Sequence, residues 1–86
     1  MSVEIFGMGN CINCTKSMKV AKDYNLPYEY FDITYKKFRD ILESRMELTD
    51  GMPQPIIFWN KRHIGNYDDF IQEIEDTMGG FGDGKI

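Results

Sequence analysis

Apolar and polar positions change period several times along this chain, and each change marks an element. Val3 and Ile5 alternate with polar neighbours over residues 2 to 7, the two-residue period of a strand. From residue 12 to 24 the spacing lengthens to that of a helix. Cys14, Met18, Ala21 and Tyr24 then fall on one face and Lys16, Lys19 and Lys22 on the other. Asn25-Leu26-Pro27 ends that helix, and the aromatic run from Tyr28 to Ile33 suits a second strand. A second helix is predicted over 35 to 48, turning Phe38, Ile41, Leu42 and Met46 inward. After the breakers Asp50-Gly51, Pro53 and Pro55, Ile56 to Trp59 forms a short apolar strand. Phe58 and Trp59 alternate on it, which puts one in the core and the other at the surface. Asn60-Lys61 turns the chain into His63-Ile64-Gly65, a hairpin. The last helix opens near Asp68 or Asp69, both good N-caps, and carries Phe70, Ile71, Ile74 and Met78 on one face.

The element order is therefore β-α-β-α-β-β-α. A helix joins the first two strands, so they form a βαβ unit and run parallel. No repeat or linker divides the pattern. Residues 1–78 read as one α/β domain, a four-stranded mixed sheet flanked by three helices, and the glycine-rich residues 79–86 read as a flexible tail. Eighty-six residues are enough for one modest core, and 42% hydrophobic with 14% aromatic residues is the composition of a folded globule. The net charge of −4 argues against nucleic acid or an anionic membrane as the main partner. No apolar run approaches the roughly 20 residues of a membrane span, and no basic stretch followed by an apolar core opens the chain. A cytoplasmic monomer is the expectation.

The candidate chemistry lies in Cys11 and Cys14, in the stretch VEIFGMGNCINCTKSMKVAKDY. A strand runs into a Gly/Asn-rich turn, the turn delivers one cysteine, and the second opens a lysine-rich helix. That order places the first thiol at a helix N-terminus, where unpaired backbone N–H groups and the helix dipole favour thiolate over thiol. Cysteines so placed have pKa values lowered from about 8.5 to between roughly 3.5 and 7.5. The three-residue offset keeps the second thiol close enough to attack a mixed disulfide formed by the first. In the cytosol such a pair serves redox chemistry or metal binding more often than it staples a fold. Zinc needs four ligands, and the chain offers one Cys pair and one histidine, so no metal is expected unless two copies share a site. His63 is read as a turn or strand residue. Lys16 is either part of a solvated helix face or a cation that stabilises a nearby anion.

With Cys11-Ile12-Asn13-Cys14 after a strand, a proline just before the third strand and HIGNYDDF leading into the last helix, the chain resembles the glutaredoxins, and among them the small dithiol forms of phages and bacteria. The likeness spans residues 3 to about 77. It implies a thioredoxin-like fold, a cis-proline facing the two cysteines, and reduction of disulfides with electrons from glutathione. By the same resemblance Cys11 matches the exposed nucleophile and Cys14 the resolving thiol. The residue before the cis-proline pairs with substrate. Counting back from His63 without gaps selects Pro55 and Gln54 for these places, whereas the family's usual wording selects Pro53; the ungapped spacing favours Pro55.

The resemblance further implies a glutathione site formed by Asn13 and Lys16 near the cysteines and by Gly65, Asp68 and Asp69 at the last helix. A helix N-terminus can bind the α-carboxylate there, and an acidic side chain can meet the ammonium. Its partners are glutathione and disulfide-containing proteins, a class that in the family includes ribonucleotide reductase. Several positions depart from the commonest pattern: Ile12 replaces its Pro, Asn13 its Tyr, Met8 a frequent basic residue and Asn66 the second glycine of a Gly-Gly turn. Two other readings stay open. One is a thioredoxin-like donor reduced by a flavin reductase; the other is a binding module in which two copies bridge an iron–sulfur cluster.

Overall fold

The computed structural model describes residues 2–9, 11–46 and 54–78. Its elements are β1 (Val3–Gly7), α1 (Ile12–Asp23), β2 (Tyr28–Asp32), α2 (Lys36–Arg45), β3 (Ile56–Trp59), β4 (Arg62–Gly65) and α3 (Tyr67–Met78). The predicted order holds. The second helix ends at Arg45, with Met46 already extended (φ −160°, ψ 158°), short of the predicted residue 48, while the proposed tail and Pro53 lie outside the described residues.

The four strands form one mixed sheet in the order β2-β1-β3-β4. β1 and β2 are parallel, as a helical crossover requires, while β1 with β3 and β3 with β4 are antiparallel. Both sheet faces are covered. Val3, Ile5, Ile57 and Trp59 point to one face and pack with Ala21 of α1 and Phe70 and Ile74 of α3. Phe6, Ile56 and Phe58 point to the other and pack with Ile33 and with Leu42 of α2. This corrects the reading of Phe58 and Trp59 as one core and one surface residue, since they are 3% and 4% exposed. Alternation sorts residues to opposite faces, but a sheet sandwiched between helices has no solvent face to receive the second set. Ile41 is corrected in the other direction: at 38% exposed it sits at the margin of α2, with Leu42 taking the core position.

Local rules explain the connections. α1 ends in a Schellman motif, with Leu26 N–H donating to the Ala21 carbonyl at 2.8 Å and Asn25 N–H to that of Lys22 at 3.0 Å. Asn25 takes the left-handed conformation this needs, φ 57°. Asn60 and Lys61 have φ of 53° and 69°, the paired positive values of a two-residue hairpin turn matched to strand twist. Glu4 is the buried charge of the sheet, and on the α2 side it accepts two hydrogen bonds from the Arg45 guanidinium. That guanidinium also lies over the Phe6 and Phe58 rings, 5.7 and 5.1 Å from their centroids.

Strand register gathers the sequence-predicted residues at one end of the sheet. Gly7, the last residue of β1, stands opposite Asp32, the last of β2. Phe6 pairs with Ile56, the first residue of β3, so Gln54 and Pro55 arrive beside the end of β1. Ile57 pairs with Gly65, the last residue of β4, which hands the chain to α3. The cysteine loop, the Gln54-Pro55 approach and the start of α3 are thus neighbours because of the topology.

Candidate dithiol site

Cys11 is the N-cap of α1. Its backbone is extended (φ −106°, ψ 113°), and its sulfur accepts the Cys14 backbone N–H at 3.1 Å. A sulfur therefore occupies the place that a Ser, Thr or Asp oxygen usually takes at a helix start. The first turn holds no acidic residue, so nothing in it offsets the positive end of the dipole. Thr15 adds to the cap by donating N–H and hydroxyl to the Cys11 carbonyl, at 3.2 and 3.3 Å. Cys11 and Cys14 are joined as a disulfide across a Cα–Cα separation of 5.1 Å.

The two sulfurs differ in access. Cys11 is half-buried and lines an open depression with Gly9, Ile12 and Thr15, whereas Cys14 is 2% exposed. Cys14 is buried beside Gly7, where any Cβ would collide with its sulfur. Ser17, one turn on, is fully buried and donates its hydroxyl to the Asn13 carbonyl at 2.8 Å, so this inward polar position is satisfied within the helix. Ile12, which lines the same depression, is 74% exposed, and Met8 before it in the chain is 44% exposed.

The other predicted residues fall into place around this end of the sheet. The Gln54–Pro55 peptide is cis, Pro55 is buried and Gln54 half-buried at the mouth of β3. Asn13 is exposed on the outer side of α1. Lys16 is also exposed, but its ammonium lies over the Tyr67 ring, 5.7 Å from the centroid, and ties α1 to the start of α3. His63 sits on β4 with its ring 5.3 Å from that of Phe58, its cross-strand neighbour.

The start of α3 lies two to three residues earlier than expected. Asn66, rather than Asp68 or Asp69, is the N-cap: its carbonyl takes the first helical hydrogen bond, from Phe70 N–H at 2.9 Å. Its side-chain oxygen accepts from Asp69 N–H at 3.2 Å, and the Asp69 carboxylate accepts from Asn66 N–H at 3.1 Å. This is a reciprocal capping box with Asn and Asp in the two roles. Gly65 has φ +123°, and a side chain there would run into the Asp69 carboxylate. Asp68 is exposed in the first turn.

Sequence reasoning missed Tyr30 and Asp32. The Asp32 carboxylate accepts from the N–H and hydroxyl of Thr34, bonds that hold it below the usual carboxylate range. Tyr30 hydroxyl donates to the Met8 carbonyl at 3.0 Å. The signal available was the βαβ order, since a parallel β2 must end beside the loop that follows β1. Among the described residues no group of three or more His, Cys, Asp or Glu is placed to hold a metal ion, and no helix is long and apolar enough to cross a membrane.

No family model matches the chain. In sequence it is similar to Glutaredoxin 1 of Escherichia coli strain K12, 27% identical over an alignment 86 positions long that covers 91% of this chain and 98% of the relative. In fold it is similar to the solved structure of reduced E. coli glutaredoxin, with a TM-score of 0.75 at 24% identity, covering 93% of this chain and all of that one. It also matches the crystal structure of a buckwheat glutaredoxin–glutathione complex, with a TM-score of 0.67 at 19% identity, over 86% of this chain and 67% of that one.

Proposed function

We propose, from the premise that the chain is a glutaredoxin-like thiol–disulfide oxidoreductase, that Cys11 is its nucleophile, Cys14 its resolving thiol and glutathione its electron donor. The observation that carries the proposal is the Cys14 N–H directed at Cys11 Sγ at the N-cap of α1. A backbone donor and a helix dipole aimed at one sulfur stabilise a negative charge there, which lowers its pKa and makes it the better attacking and leaving group.

In the proposed cycle the Cys11 thiolate attacks one sulfur of a substrate disulfide. A Cys11–substrate mixed disulfide forms, and the other substrate sulfur leaves as a thiolate. Cys14, deprotonated, attacks Cys11 Sγ, forming the intramolecular disulfide and releasing the second substrate thiolate. Two glutathione molecules then restore the dithiol: the first opens the disulfide at Cys11, and the second releases oxidised glutathione. Burial of Cys14 against half-exposed Cys11 suits this division of labour, because only Cys11 can meet a large substrate.

Gln54, preceding the cis Pro55, offers its backbone to an extended substrate segment at the same sheet end. The start of α3, with Gly65, Asp68 and Asp69, takes the γ-glutamyl end of glutathione, and Asn13 and Lys16 lie on the α1 side. The buckwheat relative, solved with glutathione, supports that ligand for this fold. Protein disulfides are the substrates and the cytoplasm the compartment. Reduction of hydroxyethyl disulfide with glutathione as sole reductant tests the reading; turnover with a flavin-dependent thioredoxin reductase and none with glutathione would replace it.

A further inference from the structure

Tyr30 takes no part in that cycle, yet it reaches the segment that leads from β1 to Cys11. It lies mid-strand in β2 opposite Ile5, and its ring packs against the core beneath α1 and α3. Its hydroxyl donates to the carbonyl of Met8, three residues before Cys11. Gly7 makes the approach possible. A Cβ at Gly7 would stand 3.3 Å from the Tyr30 oxygen and would collide with Cys14 Sγ, so the phenol oxygen and the buried sulfur crowd one point that has no side chain. Burial, and secondarily the charge of Asp32, raises the phenol above its ordinary pKa, which keeps it a protonated donor where thiolates form.

We propose that Tyr30 is a positioning residue for the Cys11–Cys14 couple: by holding the Met8 carbonyl it fixes the end of β1, at Gly7, against Cys14 Sγ in the geometry found with the disulfide closed. The proposal rests on the reading of these cysteines as a dithiol that cycles. The hydrogen bond is present with the disulfide closed, and on this proposal it is made less completely once the disulfide opens. Opening the disulfide removes the covalent link between Cys11 and Cys14, and a contact made more completely in one state favours that state.

The test equilibrates the protein and its Tyr30→Phe variant with reduced and oxidised dithiothreitol, and separately with reduced and oxidised glutathione, and reads the disulfide fraction by acid quench, alkylation and mass spectrometry. In each couple electrons balance, since one protein disulfide is reduced to two thiols as the reagent's two thiols become one disulfide. Phe keeps the ring in the core and removes only the donor. The expected result is a shift toward the dithiol of up to about fivefold, the full weight of one neutral hydrogen bond, with denaturant stability falling more in the disulfide form than in the dithiol form. An unchanged equilibrium, a shift toward the disulfide, or an equal loss of stability in both forms would overturn the proposal. Parent protein that equilibrates with dithiothreitol but not with glutathione would remove the glutathione reading alone.

Discussion

Two helices begin at the same end of the sheet, and they begin in opposite ways. α1 is capped by a sulfur, Cys11, with no acidic residue in its first turn. α3 is capped by Asn66 and Asp69 bonded to each other's backbone, with Asp68 beside them. In α3 the positive helix end is met by carboxylates that belong to the fold, which stabilises the helix and leaves less of the field for anything else. In α1 the same field falls on an atom whose charge changes during the proposed chemistry. A helix start is a stabilising device where its cap is chemically inert, and a reactive one where the cap is itself a nucleophile.

The largest effect expected breaks the α1 side outright. Cys11→Ser should abolish disulfide reduction, whereas Cys14→Ser should trap a mixed disulfide on Cys11 and keep activity toward glutathione-mixed disulfides. In the reduced protein, iodoacetamide should modify Cys11 first, with a reaction midpoint below the ordinary thiol value of about 8.5. Mass spectrometry of the alkylated peptides reads the order directly, and faster labelling of Cys14 would reverse the two roles.

An ion pair away from both helix starts gives the baseline for stability. Glu4 is held below the usual carboxylate range chiefly by its hydrogen bonds from Arg45, against an opposing push from burial, with the charges of Arg45 and Lys61 adding to the lowering. Its folded pKa lies under its unfolded one, so its contribution is present above about pH 4.5 and is lost as pH falls through the folded value. Glu4→Gln should cost about 1–3 kcal/mol near neutral pH, the penalty for weakening a charged, mostly buried hydrogen-bonded pair. Denaturation from pH 7 downwards should show the gap between variant and parent closing in acid, with thiol reactivity unchanged at neutral pH.

The fold was legible because its signals are local. Period changes located every element, the Asn60-Lys61 pair announced the hairpin, and the helical crossover dictated parallel β1 and β2. The errors arose where local pattern does not say what covers an element or how the chain bends into it. Trp59 and Phe58 looked like an inside–outside pair because nothing in four residues reveals a helix on each face. Asp68 and Asp69 looked like caps because both residue types cap well; which residue closes the box depends on the bend that Gly65 imposes, and that bend showed only in the structure. The cysteine spacing carried the chemistry, while Tyr30 entered through a strand register.

A smaller effect comes from making α1 begin as α3 does. Asn13→Asp would place a carboxylate in the first turn beside the Cys11 cap, at an exposed position where no core packing changes. The helix itself should gain slightly from the added anion at its N-terminus, by about 0.3–1 kcal/mol. The thiolate should lose, because a like charge now competes for the same field. The alkylation midpoint of Cys11 should rise, and the rise should shrink as salt is added. A midpoint that does not move would mean that the Cys14 N–H alone, without the dipole, sets the reactivity of Cys11.

The smallest change separates the two duties proposed for Asp69. Asp69→Ala removes the box and the charge together, so it should cost about 0.5–2 kcal/mol as a lost cap and also weaken glutathione, leaving the cause mixed. Asp69→Asn keeps an oxygen that can accept from Asn66 N–H and removes only the charge, so its stability should stay within about 0.5 kcal/mol of the parent. If the carboxylate meets the ammonium of a γ-glutamyl group, the Michaelis constant for glutathione should rise severalfold, up to the roughly tenfold that about 1.4 kcal/mol represents, with turnover at saturating glutathione unchanged. Both variants are to be read as glutathione-dependent rates beside a denaturant curve. An Asp69→Asn protein with parental glutathione dependence would assign the carboxylate to the cap alone, and the contrast between the two helix starts would then be one of structure against chemistry, with no ligand shared between them.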